Sequence, residues 1–435
     1  MPDGTLRRQL GVGSAAALVI SNMIGTGIFV STPFFAGDLG SVPLVLAIWV
    51  AGALVALAGA CCYAELGVNY PDSGGEYVYL REAFGPAWAF MSGWTSFFVG
   101  FSCAIAAAAL AFARYVGYFS EALVAWEKAL ACALILGMTL VNLMDLRGVA
   151  RFQNVATSFK VLTLLLLVLG GFLFGEGSWA HFSQEAVRAS DRALWAQFAV
   201  SLCFVYTSYS GWNSASYIAG EIAEPSRNLP RALALGTCLV ALLYVVLNLV
   251  FIYAMPLETM KAETKLGAAV AAKLFGAGIG GAFAAAMAIA LFSTVNAMVT
   301  VGPRVYYAMA KDRAFFALGA KVSERTGTPV NSILIQGVVA MLITLTPLPA
   351  LVFFIGFSLN LFTVLTVASL FRFRRRAGWV RLGVVDFCYP LIPALYIAVG
   401  LWVTSFGFWN EPLRSSVALG VIGLGALVQT RLRGV

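Results

Sequence analysis

The chain has 435 residues, 60% of them hydrophobic and only 11% charged. Soluble domains carry about 25% charged residues, so this composition excludes a soluble globular protein and defines a polytopic membrane protein. The formal charge of +8 is not a nucleic-acid footprint, because the basic residues fall in short connections between apolar stretches, where they orient a membrane protein.

At about 20 apolar residues per crossing, twelve spans can be drawn, at 13–35, 43–68, 86–111, 127–145, 152–174, 194–220, 231–255, 277–303, 330–346, 349–371, 387–407 and 413–430. The first is followed by Pro33 and more apolar sequence, with no small-residue cleavage pattern, so no removable signal peptide is expected. With the N-terminus inside, 19 of the 28 Lys and Arg collect on the cytoplasmic side and 8 outside, with Lys160 within a span. That asymmetry predicts cytoplasmic termini. The seven cysteines all sit in apolar stretches and read as small core residues, with neither a disulfide framework nor a metal site.

Span one is interrupted at Ser21-Asn22-Met23-Ile24-Gly25-Thr26-Gly27-Ile28-Phe29. Two glycines around a threonine weaken a helix where lipid cannot satisfy freed N–H and C=O groups. One reading is a substrate-carboxylate site. An unwound stretch followed by a half-helix presents free N–H groups and the positive end of a dipole. Thr26 adds a hydroxyl, and carbonyls before the break, such as that of Met23, accept from an ammonium group. The other reading is a small-residue packing face.

After span two, which ends near Glu65, Pro71-Asp72-Ser73-Gly74-Gly75-Glu76 forms a turn cluster. The following run from Tyr77 to Phe84 reads as a short interfacial helix. Span five carries Lys160. A lysine at mid-membrane costs roughly 2.5–3.5 kcal/mol on insertion scales, so it needs a partner or a water path. It reads as a fixed cation tethering spans one and eight, as a proton carrier, or as a lysine snorkelling to the surface. His181, the sole histidine, lies in an outer loop and is expected to be solvated.

Span six is interrupted in turn at Ser208-Tyr209-Ser210-Gly211-Trp212-Asn213. Paired broken helices in corresponding places of two halves point to a transporter's binding site, which favours the functional reading of Gly25 and Gly27. Gly211 allows close approach, and carbonyls near Thr207 and Ser210 would be free. Tyr206, Tyr209 and Trp212 either wall the site or pack. Glu221, like Glu65, sits near a span end and reads as a structural or gating ion-pair member. The outer segment 256–275 is expected to form a short helix over a vestibule. Ser293, Thr294 and Asn296 make a polar cluster in span eight that contacts Lys160, contacts the first break, or bonds helix to helix. Thr346-Pro347-Leu348-Pro349 marks a tight turn between spans nine and ten. If spans one to five match six to ten, five being odd, the repeat is inverted.

These motifs together resemble the amino acid–polyamine–organocation superfamily, and its L-type amino-acid transporter branch most of all. The strongest matches are Ile24-Gly25-Thr26-Gly27-Ile28-Phe29, Cys62-Tyr63-Ala64-Glu65-Leu66-Gly67 leading to the turn cluster, and Gly211-Trp212-Asn213 with Glu221. Pro225-Ser226-Arg227-Asn228-Leu229-Pro230-Arg231-Ala232, and Phe292-Ser293-Thr294-Val295-Asn296 with Arg304, complete the set. The resemblance implies an all-α membrane fold of 12 transmembrane helices with a LeuT-type 5+5 inverted repeat. Spans 1 and 6 are discontinuous. Repeat one covers about 10–175, repeat two about 190–372 and two extra helices about 387–430, in one domain over 1–435. It implies that Thr26 and Gly27 hold the substrate carboxylate, that carbonyls of Met23, Thr207 and Ser210 hold the amino group, and that Lys160 stands in for a sodium ion. Two features depart from the pattern. Thr207 stands where relatives carry a bulky aromatic gate. Residues 112–127 lack the cysteine that links relatives to an accessory subunit, so no disulfide-linked subunit is expected.

The expectation is a plasma-membrane carrier of neutral L-amino acids, sodium-independent, working by alternating access, with substrate-binding residues Met23, Ile24, Gly25, Thr26, Gly27, Tyr206, Thr207, Ser210 and Gly211, and without metal or cofactor. Its rivals are a proton-coupled amino-acid, amine or polyamine symporter and a substrate-sensing receptor. A channel would need a continuous polar lining, and an enzyme a catalytic cluster at membrane depth.

Overall fold

A computed structural model describes residues 6–25, 27–263 and 265–432. Among these the chain is helical, and its extended pairing is a single parallel bridge of Leu10 with Ile222. In chain order come α1 (Val12–Met23), α2 (Gly27–Leu39), α3 (Val42–Asn69), α4 (Glu76–Phe84) and α5 (Pro86–Val116). There follow α6 (Glu127–Val141), α7 (Leu146–Phe174), α8 (Leu194–Ser208), α9 (Ser214–Tyr217), α10 (Pro225–Ala254) and α11 (Leu266–Phe275). The last are α12 (Ala277–Lys311), α13 (Val330–Ile343), α14 (Leu348–Phe373), α15 (Leu391–Asn410) and α16 (Pro412–Leu432).

Eight of the described helices, α3, α5, α7, α10, α12, α14, α15 and α16, are long and apolar enough to cross a membrane. The bent pair α1 and α2 makes a ninth when counted as one span. Large apolar side chains stay exposed along these helices, as Leu235, Leu239 and Leu242 do on α10. Such a face is tolerable only against lipid, and the chain is a multi-pass membrane protein.

The packing places the broken helices at the centre. α10 runs along α3 and α1, and α12 along α5, α7 and α11. Most side chains buried between them are apolar, and Ser, Thr, Asn and Lys are buried beside the interrupted backbone. That is the distribution expected where freed peptide groups must be satisfied without water.

Three local expectations change, and a fourth gains detail. The segment after the turn cluster is helical as α4, but Tyr77, Val78, Tyr79, Leu80 and Ala83 are buried, so it is a core element and not an interfacial one. Its turn needs Gly74 and Gly75, at φ 127° and 54°, and a side chain at Gly75 would strike the Tyr217 ring. His181 is half-buried, its Nδ1 3.0 Å from the Tyr253 carbonyl, because its loop folds onto the end of α10. Cys238 is exposed beside the α10 leucines rather than in the core. The segment 256–275 forms a turn of helix at Leu257–Met260 and then α11, which packs on α12 and reaches α2.

Candidate substrate site

The first break begins where α1 loses its ladder. Ile24 still donates to the Ile20 carbonyl at 2.8 Å, but the Gly25 N–H turns back to the Met23 carbonyl at 3.0 Å. Thr26 lies outside the described residues. Carbonyls at the end of a helix have no partners of their own, and here neighbouring spans supply them. The Lys160 ammonium on α7 donates to the Ile24 carbonyl at 2.8 Å and the Ser21 carbonyl at 3.4 Å. The Thr294 hydroxyl on α12 donates to the Ile24 carbonyl at 3.1 Å, and Lys160 donates to Thr294 Oγ1 at 2.6 Å. Tyr244 on α10 donates its hydroxyl to the Met23 carbonyl at 2.7 Å.

Lys160 is 1% exposed, so it is buried and does not snorkel. Its amino group bonds spans one and eight together, and three oxygens surround it with no carboxylate among the described residues. Ser293 belongs to the same seam, receiving the Ser21 hydroxyl at 3.1 Å. Asn296 joins it at one remove: it donates to Gln153 Oε1 at 2.6 Å and accepts from Asn142 at 2.7 Å, and Gln153 in turn donates to Thr157, which bonds Ser21.

The second break follows α8. The Tyr209 N–H keeps its bond to the Val205 carbonyl, the Ser210 N–H tightens onto the Thr207 carbonyl at 3.1 Å, and Gly211 turns at φ 101°. The Thr207 carbonyl is therefore engaged, whereas that of Ser210 has no partner among the described residues. The two breaks lie against each other. A side chain on Gly211 would meet the backbone of Asn22, and one on Gly27 would meet Ser208 Cα at 2.9 Å. Ser31 and Ser208 share a hydrogen bond of 2.7 Å between α2 and α8. Gly25 differs: nothing lies within 4 Å of the side chain it lacks. Among the described residues, open space thus adjoins the first break at Gly25.

The aromatic candidates separate. Tyr209 is buried, donates to the Trp49 carbonyl at 3.0 Å and packs edge-on to Trp49, one wall behind the break. Tyr206 points away, to Tyr396 Oη at 2.6 Å and Thr363 Oγ1 at 3.1 Å. Trp212 packs on Tyr63 and Tyr396. The Thr207 hydroxyl bonds back to the Phe204 carbonyl, and its methyl abuts Gly356 on α14. Tyr244 was not anticipated, since a lone tyrosine among leucines and valines has no sequence mark that separates it from a packing aromatic.

The face that carries the chain's N-terminus is wired shut. Gln9 and Leu10 N–H groups donate to the Glu221 carbonyl at 2.8 and 2.9 Å, and Ala223 N–H donates to the Leu10 carbonyl at 2.9 Å. Arg304 grips the Glu221 carboxylate with Nε and Nη2 at 2.8 and 3.0 Å. Arg374 holds Glu65 in the same two-pronged way at 2.8 and 2.6 Å.

A bundle with two opposed broken helices, a buried lysine on the carbonyls of the first and charged clasps at one end is the architecture of a membrane carrier. The chain belongs to the amino acid permease family, whose model matches residues 10–417. It is 29% identical over 436 residues to the human large neutral amino acids transporter small subunit 2, covering 97% of this chain and 80% of that protein. The mouse Asc-type amino acid transporter 1 is 29% identical over 434 residues, at 97% and 80% coverage. The mouse b(0,+)-type amino acid transporter 1 is 30% identical over 428 residues, at 94% and 84% coverage.

Proposed function

We propose that this permease moves neutral L-amino acids across the plasma membrane by alternating access, without sodium. The observation that carries the reading is the open space at Gly25 in the first break, with the second break seated opposite. The substrate carboxylate would face the N–H groups at Thr26 and Gly27, and its ammonium the Ser210 carbonyl. Lys160 supports sodium independence: its ammonium already occupies an all-oxygen nest of the kind a sodium ion would fill. Neither break carries an acidic side chain, from Ser21 to Phe29 or from Tyr206 to Asn213, so a cationic substrate side chain would find no partner there. The related proteins named above bear amino-acid transporter names, which agrees with a carrier and not an enzyme.

The finer architecture belongs to the same proposal. With α1–α2 and α8–α9 each counted as one crossing, and α6 and α13 as short ones, the chain makes twelve crossings in a single domain. The inverted repeat pairs about 10–175 with about 190–372, followed by extra helices at about 387–430. The charge asymmetry puts both termini in the cytoplasm, and no disulfide-linked subunit is required.

The test is reconstitution. Proteoliposomes should take up labelled neutral amino acids saturably, faster with unlabelled substrate inside, and equally with sodium or potassium. Uptake that needs sodium, or rises linearly with concentration, would sink the reading. Uptake driven by a pH gradient with empty vesicles would favour a proton symporter over an exchanger.

A further inference from the structure

Three glutamates on the N-terminal face are wholly buried: Glu65 and Glu221 at 0% exposure and Glu76 at 1%. Two are clasped by arginine, Glu65 by Arg374 and Glu221 by Arg304. Glu76 has no cation among the described residues. Its Oε1 accepts the Tyr63 hydroxyl at 2.8 Å and the Asn213 amide at 2.8 Å, and its Oε2 makes no hydrogen bond. A carboxylate charge without a counter-ion is expensive to bury, and neutralising it by proton uptake is the usual escape. The position is also connected, because Asn213 belongs to the second break.

We propose that Glu76 is a proton-binding site that sets how tightly the second break is held at the N-terminal face. With the carboxylate charged, the bonds from Tyr63 and Asn213 are charge-assisted and strong. Adding a proton to Oε2 leaves two neutral hydrogen bonds on Oε1 and removes the cost of the buried charge; because burial holds that proton more tightly in the closed face than water would in an opened one, a lower pH holds the face closed. The consequence for transport rests on the carrier reading above; the proton site does not.

The surroundings contain no competing charge. Tyr63 faces the carboxylate from α3, Tyr217 and Tyr206 from the sixth span, Tyr396 from α15 and Tyr79 from α4 itself. Asp72 lies in the turn before α4. The cations of packed elements are already engaged: Arg304 of α12 by Glu221, the flanking Arg374 by Glu65 and Asp386, and Arg81 of α4 by Asp312. Burial raises the Glu76 carboxyl to about 7, against partial lowering by its tyrosine and asparagine donors.

The test has two arms. In the first, detergent-purified wild type and Glu76→Gln are melted between about pH 5 and 8. A carboxyl that binds its proton more tightly when folded stabilises fully below its unfolded value of 4.5, and that contribution drains away as pH rises toward 7. Wild type should therefore lose Tm over this interval relative to the variant, and parallel curves would overturn the site. Tyr63→Phe, which removes a donor to the charged form and keeps the ring, should move the midpoint upward. An unmoved midpoint would overturn it also, even if Glu76→Gln failed to fold. In the second arm, proteoliposome exchange by wild type should fall as pH on the N-terminal face falls through 7, with Glu76→Gln flat at the low-pH rate. A variant that keeps the wild-type profile overturns the coupling. Absence of uptake by wild type at every pH counts against the carrier reading alone, because melting uses no substrate.

Discussion

Gly211 and Asn22 bring the two broken helices into backbone contact: a β-carbon at position 211 would sit 2.8 Å from the Asn22 carbonyl carbon. Gly211 also turns at φ 101°, where L residues other than glycine are strained. Gly211→Ala should therefore push the breaks apart, at a cost of about 1–3 kcal/mol for overpacking alone. We expect exchange at least about tenfold slower, in line with that cost, with the protein still monodisperse in detergent. Wild-type rates in the alanine variant would show that the breaks need not touch.

Lys160→Ala removes the ammonium that holds the Ile24 and Ser21 carbonyls and Thr294 together. Membrane insertion should survive, since the replacement is apolar, whereas transport should fall sharply because the first break loses its tether to α7. Normal rates with an unchanged pH profile would strip Lys160 of a mechanistic role.

Thr26→Val keeps the shape and removes one hydroxyl donor. If that hydroxyl holds the substrate carboxylate, a hydrogen bond to a charged group is lost, worth about 1.5–3 kcal/mol. The apparent KM for uptake should rise roughly tenfold to a hundredfold. An unaltered KM would place the carboxylate elsewhere.

Arg304→Ala leaves the Glu221 carboxylate buried without its partner. Breaking such a pair costs about 3–5 kcal/mol, so the melting temperature should drop clearly. Arg227→Ala, which breaks an exposed pair with Glu224, should change it little. Equal effects from the two variants would mean that the clasp on α12 adds nothing to the fold.

The breaks themselves were legible because glycine is a local signal: Gly25, Gly27 and Gly211 mark weak helix wherever they stand. Lys160 was legible because a lone charge at membrane depth demands partners, and α1 and α12 provide them. The partners of Glu65 and Glu221 were not, since Arg374 stands 309 residues from Glu65 along the chain, and only the packed bundle selects it from many arginines. Asn296 was grouped with Thr294 by sequence proximity, yet two residues along a helix turn a side chain to another face. Tyr244 and Glu76 escaped notice for opposite reasons. The first resembles any buried aromatic, and the second sits in a turn cluster whose glycines gave no sign that the segment is buried.

The bridge between Leu10 and Ile222 joins the start of the first broken span to the end of the second through three backbone hydrogen bonds. The two half-helices on that face consequently share a common staple. If the staple holds during transport, both swing as one lever and their amide protons at Gln9, Leu10 and Ala223 stay shielded from deuterium. If it unzips, those three amides become a clock for each opening event, readable by mass spectrometry in the native bilayer.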